Sequence, residues 1–136
     1  MSYGAGAALQ AAVFGALSAE AAVTAALGGA IFDAMPAGVL PETYAILGPE
    51  DVRSRGGSGG AVARHDFTVS VVSSAAGFAG AKAAAAAISD VLNGADLILA
   101  RGALSDLSLF KTRATRLKGG QQRRIDLRFR ARIDDF

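Results

Sequence analysis

The chain has 136 residues, a formal net charge of +2 and 51% hydrophobic residues, which is enough for one domain with a core. It contains no cysteine, so disulfides, thiolate catalysis and cysteine-ligated zinc are excluded. Residues 1–100 carry four basic and eight acidic side chains, whereas residues 101–136 carry ten basic and four acidic ones. This asymmetry predicts a protein with an acidic side and a basic side.

The first 30 residues predict two helices. Apolar residues recur at helical spacing in the set Ala8, Leu9, Ala12, Val13, Ala16 and Leu17. Ser18 is the expected N-cap of a second, shorter helix, which the Gly28-Gly29 pair should end. Glycine, serine and glutamine are too frequent here for a spanning helix, which needs ~20 strongly apolar residues, and the basic n-region of a secretory signal is missing.

The next segment predicts a short extended piece at Ile31-Phe32 and irregular structure over residues 35–41, where Pro36 and Pro41 lie. Residues 43–52 then indicate a strand that Gly48-Pro49 interrupts. The run from Arg53 to Gly60 is glycine-rich, as flexible linkers are, and is expected to form a long hairpin loop.

Residues 62–93 predict a strand that leads into a helix. Phe67, Val69 and Val71 alternate with Asp66, Thr68 and Ser70, which is the period of a half-buried strand. After Gly77 the apolar residues recur at helical spacing, until Asn93-Gly94 ends the pattern. The helical set is Phe78, Ala81, Ala85, Ile88 and Leu92. No catalytic group lies on this unit.

The C-terminal third predicts a β-hairpin with strands at 104–117 and 123–133 and a turn at 118–121. On the second strand the apolar residues share one face and the charged residues share the other. The apolar set is Ile125, Leu127, Phe129, Ala131 and Ile133; the charged set is Arg124, Asp126, Arg128, Arg130 and Arg132. The whole chain is therefore expected to be a single α+β domain, 1–136, in which an antiparallel sheet of about four strands packs on helices in the order α-α-β-β-α-β-β.

Catalytic and metal-binding patterns are weak throughout. Residues 56–60 match the spacing G-x-S-x-G, but a loop that leads into a strand lacks the helix that a nucleophile elbow requires. The only histidine, His65, has no histidine or cysteine companions and is expected to be a polar residue at a strand end. Glu50-Asp51 and Asp134-Asp135 are neighbours on strands, so each pair points to opposite faces and is expected to be solvated. We therefore expect no enzyme activity and no cofactor.

Eight basic residues of the hairpin are expected to form a basic face: Arg113, Arg116, Lys118, Arg123, Arg124, Arg128, Arg130 and Arg132. Such a face suits phosphates, or an interface with acidic residues such as Glu50, Asp51 and Asp66. The second interpretation is favoured because matching acidic residues exist in the same chain. Base stacking is not expected, because Phe129 points inward and no other aromatic residue is assigned to this face.

The order and spacing of several segments resemble the tail completion or tail terminator proteins of long-tailed phages, in the form found in the gene transfer agents of alphaproteobacteria. The resemblance covers nearly the whole chain, although the family often has a tryptophan where this chain has Val72. It is carried by Ala5–Leu17, by Ile31-Phe32-Asp33 followed by Pro36 and Pro41, by residues 44–48, 65–71 and 77–82, and by Arg123–Phe129.

The resemblance implies a non-enzymatic protein that forms a ring, commonly of six copies, at the head-proximal end of the tail tube. Such a ring stops tube polymerisation and joins the tail to the neck, and DNA passes through its lumen. The implied partners are further copies, the tail tube protein, the neck protein and DNA in transit, inside a phage-like particle assembled in the bacterial cytoplasm; no membrane is involved. Two alternatives are a neck or head–tail connector protein of the same particle and a small basic DNA-binding module.

The residues expected to form interfaces lie on the glycine-rich loop, beside it and on the hairpin. They are Glu50, Asp51, Arg53, Arg55, Gly56, Gly57, Gly59, Gly60, Arg113, Arg116, Lys118, Arg124, Arg128, Arg130 and Arg132.

Overall fold

The computed structural model describes residues 2–55 and 61–135, and in these ranges three helices pack on one face of a five-stranded sheet. The helices are α1 (Gly6–Ala19), α2 (Ala21–Leu27) and α3 (Ala79–Leu92). The strands are β1 (Ile31–Phe32), β2 (Thr43–Ser54), β3 (Val62–Ser73), β4 (Ala103–Leu117) and β5 (Gln122–Asp134), in the spatial order β1-β2-β3-β5-β4.

The predicted α+β class and the order of the long elements are confirmed. The sheet differs from the prediction in one respect, because β1 pairs parallel to β2 and makes the sheet mixed. β1 has only two residues, Ile31 and Phe32, so it is too short to show a periodicity of its own.

The boundary between the first two helices differs from the prediction. Ser18 lies in the last turn of α1, and Glu20, with an extended backbone, occupies the N-cap position of α2 without a side-chain capping bond. The predicted cap at Ser18 is wrong because alanine at 19 continues the helix for one more residue. Gly28 ends α2 in the left-handed conformation at φ 60°, as predicted.

The core lies between the helices and the face of the sheet that they cover, here called the helical face. α1 contributes the predicted apolar stripe, with Leu9, Val13 and Leu17 buried, and α3 contributes Ile88 and Leu92. Alternate residues of β3 and β5 complete the core, and the Phe67 and Phe129 rings stack at 5.5 Å between centroids. The period-two patterns of both strands are confirmed.

The other face of the sheet, here called the outer face, carries a smaller apolar cluster at one end. Tyr44 and Val72 pack there with Ala30, and Phe32 and Leu40 lie against them. The connection over residues 33–42 is irregular, as the prolines predict, and it brings Leu40 onto this cluster. In the described ranges the rest of the outer face has no such apolar cover and carries charged and polar side chains.

No single helix in the described ranges is long and apolar enough to cross a membrane. α1 and α2 meet the length and composition criteria only as a pair bent by 81°.

Candidate interaction surface

An ion pair joins β3 and β5 across the outer face. Asp66 and Arg130 are direct register partners, and the Arg130 Nε and Nη2 groups donate to the two Asp66 carboxylate oxygens at 2.9 and 3.2 Å. Burial alone would raise the pKa of Asp66, but the hydrogen bond from Arg130 and the charges of Arg130, Arg64 and Arg128 lower it below its ordinary value. Asp66 therefore neutralises part of the basic charge.

A second polar group on this face is centred on Asp126. Its Oδ1 accepts hydrogen bonds from the Ser70 hydroxyl at 2.6 Å and from Arg124 Nε at 2.9 Å. Burial opposes ionisation of this carboxyl, yet the Ser70 and Arg124 hydrogen bonds lower its pKa. Arg124 and Arg130 thus have partners, whereas Arg113, Arg128 and Arg132 form no ion pair within the described part of the chain.

Arg116 and Arg123 do not belong to the predicted basic face. They are register partners at the end of the hairpin, and Arg123 lies two residues from the buried Ile125, on the helical side of the sheet. Both guanidinium groups lie over the ring of Phe78, at 5.0 and 6.0 Å, and Lys82 Nζ lies 5.5 Å from the same ring. The eight basic residues are therefore divided among the two faces of the sheet and, for Lys118, the hairpin turn.

The expectation that the outer face lacks an aromatic residue is wrong. A register shift between Leu109 and Lys111 interrupts the alternation of β4. Phe110, in that bulge, is 38% exposed and lies 4.2 Å from the Arg130 guanidinium and 5.3 Å from that of Arg128. A β-bulge adds one residue to the strand, and sequence periodicity does not reveal where it falls. Phe110 is the functional candidate that sequence reasoning missed.

His65 is a core residue rather than a polar residue at a strand end. Its side chain is fully buried in β3, and its Nδ1 lies 3.2 Å from Glu50 Oε2. The Tyr3 hydroxyl donates to the other Glu50 oxygen at 2.8 Å. The hydrogen bond with His65 lowers the pKa of Glu50, and the bond to Glu50 raises that of Tyr3. This network fixes the N-terminal segment to β2.

Glu50 and Asp51 point to opposite faces of the sheet, as strand geometry predicts, but not every member of the two adjacent carboxylate pairs is solvated. Glu50 lies opposite Phe67 on the helical face, and Asp51 lies opposite Asp66 on the outer face, where it is exposed. Asp135 accepts bonds from Arg101, at 2.9 and 3.0 Å, and from the Ser2 hydroxyl. Full solvation is therefore the wrong expectation for Glu50 and Asp135, because each has partners distant in sequence.

The remaining predicted interface residues have no common site. Arg53 and Arg55 are exposed at the end of β2, Lys118 lies in the hairpin turn, and the glycines at 56, 57, 59 and 60 lie outside the described residues. All of the proposed interface residues remain predictions. Over residues 2–55 and 61–135 no cluster of three or more histidine or acidic side chains could hold a metal ion.

Comparison with known proteins adds two similarities. Residues 11–134 match the family described as Tail completion protein gp17. A chain from a solved structure titled "Virion of native gene transfer agent (GTA) particle" is 53% identical, with a TM-score of 0.93, over 98% of this chain and 99% of that chain. A search among curated proteins found no match.

Proposed function

Because this chain belongs to the tail completion protein gp17 family, we propose that it is a structural protein of a gene transfer agent, a phage-like particle, and that it completes the tail. The family is a structural virion family, so the chain is not an enzyme. The observation that carries the proposal is the 53% identity over nearly the full length of both chains to a chain of a native GTA virion.

The proposed role is specific. Copies of the chain form a ring, expected to contain six, on the head-proximal end of the tail tube; the ring ends tube polymerisation and joins the tail to the neck. DNA passes through the lumen of this ring. Within residues 2–55 and 61–135, two features support a binding role without chemistry: the outer face presents arginines without ion-pair partners, and the sheet has strand edges that no other strand covers.

Removal of the gene for this chain tests the role. Without the ring, nothing ends tube growth, so we expect tails of variable and excessive length that are detached from heads. Electron micrographs of particles would give the tail lengths, and wild-type protein supplied in trans should restore them. Detached tails of normal length would contradict a terminator and favour a neck or connector protein, and intact particles that still transfer DNA would contradict both roles.

A second candidate, a DNA-binding module, is favoured by one observation. Phe110 lies against Arg128 and Arg130 on an open face, and an aromatic ring beside guanidinium groups suits contact with nucleic acid. Fluorescence anisotropy with duplex and single-stranded DNA over a range of salt concentrations tests it. Tight binding by the free chain that falls steeply with salt would support this candidate, and binding that stays weak at low salt would exclude it.

A further inference from the structure

The end of the β4–β5 hairpin carries charge of one sign only. The hairpin tip is defined here as residues 111–124, which comprise the end of β4, the turn and the start of β5. It contains six basic residues and no acidic one: Lys111, Arg113, Arg116, Lys118, Arg123 and Arg124. A block of like charges repels itself, and such blocks are typical of segments that bind a polyanion.

The side chains of the hairpin tip are accessible from several sides. From Lys111 to Gly119 every residue is exposed except Thr115, which is half-buried. β4 is an edge strand of the sheet, and in the described residues the connection from α3 bonds to it no farther along than Leu109, whose N–H donates to Asn93 Oδ1 at 3.0 Å. A large ligand can therefore approach the tip from both faces of the sheet and from its open edge.

On the helical face three cations surround one aromatic ring. Arg116, Arg123 and Lys82 lie 5.0, 6.0 and 5.5 Å from the centroid of the Phe78 ring. Arg123 is also held in place, because its Nη1 group donates to the carbonyl oxygen of Ala75 at 2.8 Å. The ring attracts cations but carries no net charge, and α3 has no acidic residue in its first turn. Three positive charges therefore stay close together.

On the outer face the charge of the tip is neutralised at one position. Asp126 lies opposite Arg113 in the register, but its Oδ1 is bonded to the Ser70 hydroxyl and to Arg124. The other five basic residues of the hairpin tip form no ion pair within the described part of the chain, and neither does Lys82.

Elsewhere on the sheet basic side chains have acidic neighbours. Arg101 donates to both carboxylate oxygens of Asp135, at 2.9 and 3.0 Å, and Arg64 lies 3.6 Å from Asp66. At the hairpin tip only Arg124 is neutralised in this way. The counter-charge for the rest of the tip is left to solvent ions or to a binding partner.

The residue types of the tip favour a phosphate backbone over an acidic protein surface. Arginine, lysine, threonine and glutamine make many of the protein contacts to phosphate and sugar, and they form most of residues 111–124. Protein interfaces instead have an apolar, aromatic-rich core that is depleted in lysine. The exposed apolar side chains of the tip are only Ala114 and Leu117 in the described residues.

The length of the charged surface and its lack of free aromatic rings favour double-stranded DNA. Lys111 and Leu117 are six residues apart, about 20 Å at ~3.3 Å each. Duplex DNA supplies negative charge without interruption over such a length, one charge per ~1.7 Å of its axis. Single strands bind largely by base stacking, but residues 111–124 contain no aromatic residue and cations already lie over the Phe78 ring.

We propose that the hairpin tip, together with Lys82, binds the phosphate backbone of double-stranded DNA. The binding is independent of sequence, because phosphates carry no sequence information directly. This surface differs from the one formed by Phe110, Arg128 and Arg130 on the outer face. The inference deepens the proposed function and rests on it for the source of the DNA, since it names the surface that contacts DNA in transit through the ring.

Two variants of equal net charge test the site. The tip variant carries Arg113→Gln, Arg116→Gln and Lys118→Gln. The control variant carries Arg53→Gln, Arg55→Gln and Arg132→Gln, toward the opposite end of the sheet. All six native side chains are exposed, and none forms an ion pair in the described ranges, so both variants should fold. Circular dichroism checks this.

Fluorescence anisotropy with a labelled duplex of about 30 base pairs, at about 20 to 150 mM salt, measures the binding. Each lost phosphate contact reduces the slope of log affinity against log salt by ~0.9, so we expect a reduction of about 2–3 in the tip variant and of less than about 0.9 in the control. Equal losses in the two variants, or a wild-type chain that does not bind at the lowest salt, would overturn the proposal. Binding that is lost in Phe110→Ala but kept in the tip variant would also overturn it, in favour of the outer face.

Particles carrying the tip variant separate this inference from the proposed function. Because the tip is assigned to DNA, we expect tails of wild-type length that are attached to heads. Overlong or detached tails would contradict the assignment, since the tip would then contact an acidic surface of another particle protein. If removal of the wild-type gene leaves tail length and attachment unchanged, the proposed function itself fails, whatever the result of the DNA-binding measurement.

Discussion

The two faces of the sheet differ in what covers them and in what their residues contact. On the helical face, Phe67, Phe129 and Leu127 are buried under the helices in one continuous core. On the outer face, the residues that alternate with them are mostly charged or polar, and some pair with each other across the strands, as Asp66 does with Arg130. The same two strands therefore supply the core on one side and an open polar surface on the other.

This difference indicates which face determines the stability of the fold and which face is available for binding. Buried apolar area is worth roughly 25 cal/mol per Å², whereas partly exposed ion pairs contribute about 0–1 kcal/mol, so the helical face should determine stability. Charged residues on the outer face and the strand edges can therefore be substituted with little effect on stability. These are the surfaces that remain available for the proposed contacts with other proteins.

The largest expected contrast is between two phenylalanines. Phe129→Ala removes a fully buried ring from the core and should lower the free energy of unfolding by about 3–5 kcal/mol. Phe110→Ala, on the outer face, is the matched control and should change it by less than about 1 kcal/mol. Urea denaturation followed by circular dichroism measures both, and equal losses would break the distinction between the two faces.

A smaller contrast is expected between two adjacent carboxylates. Glu50→Ala removes the acceptor of the buried His65 and of Tyr3, and should cost about 1–3 kcal/mol because His65 Nδ1 is then unpaired. Asp51→Ala, one residue along and on the outer face, should stay within about 0.5 kcal/mol. Thermal unfolding of the two variants checks this, and an Asp51→Ala loss as large as that of Glu50→Ala would contradict the assignment.

The response to pH should involve both faces. The pKa values of Glu50, Asp66 and Asp126 are lower in the folded chain than the ordinary values of 4.5, 3.8 and 3.8. The unfolded chain therefore binds protons more readily, and the stabilisation is complete above these ordinary values and lost as pH falls through the folded ones. We expect the Tm to fall below about pH 4.5, and to fall less steeply in the Asp66→Asn variant. A Tm that rises on acidification over this range would contradict the ion pairs.

The smallest effect is expected at an arginine without an ion-pair partner. Arg132→Ala removes an exposed side chain of β5 and should change stability by less than about 0.5 kcal/mol. Differential scanning calorimetry of the variant beside the wild-type chain checks this. A loss near that of Phe129→Ala would show that the outer face also holds the fold together.

Much of the fold follows from local patterns in the sequence. The apolar stripe of α1, the alternation in β3 and β5 and the glycine that ends α2 each depend on residues a few positions apart. Periodicity reports such local relations well. The extended piece predicted at Ile31-Phe32 is β1, but its parallel pairing with β2 and the helix boundary at Glu20 do not follow from local spacing.

The candidate surface was less accessible to sequence reasoning, for physical reasons. The bulge that brings Phe110 beside Arg130 depends on the register of β4 against β5, which alternation alone does not fix. The burial of His65 depends on Glu50, 15 residues earlier in the chain, and on a Tyr3 side chain farther away still. Pairings between distant segments become visible only once the strands are in register.

The position of the chain in an assembled particle tests the central claim most directly. Cryo-electron microscopy of purified particles at a resolution that separates strands would place the five-stranded sheet described here. The proposed function predicts a single ring of copies between the last ring of the tail tube and the neck. Copies distributed along the tube, or a particle with no density for this chain at that level, would contradict it.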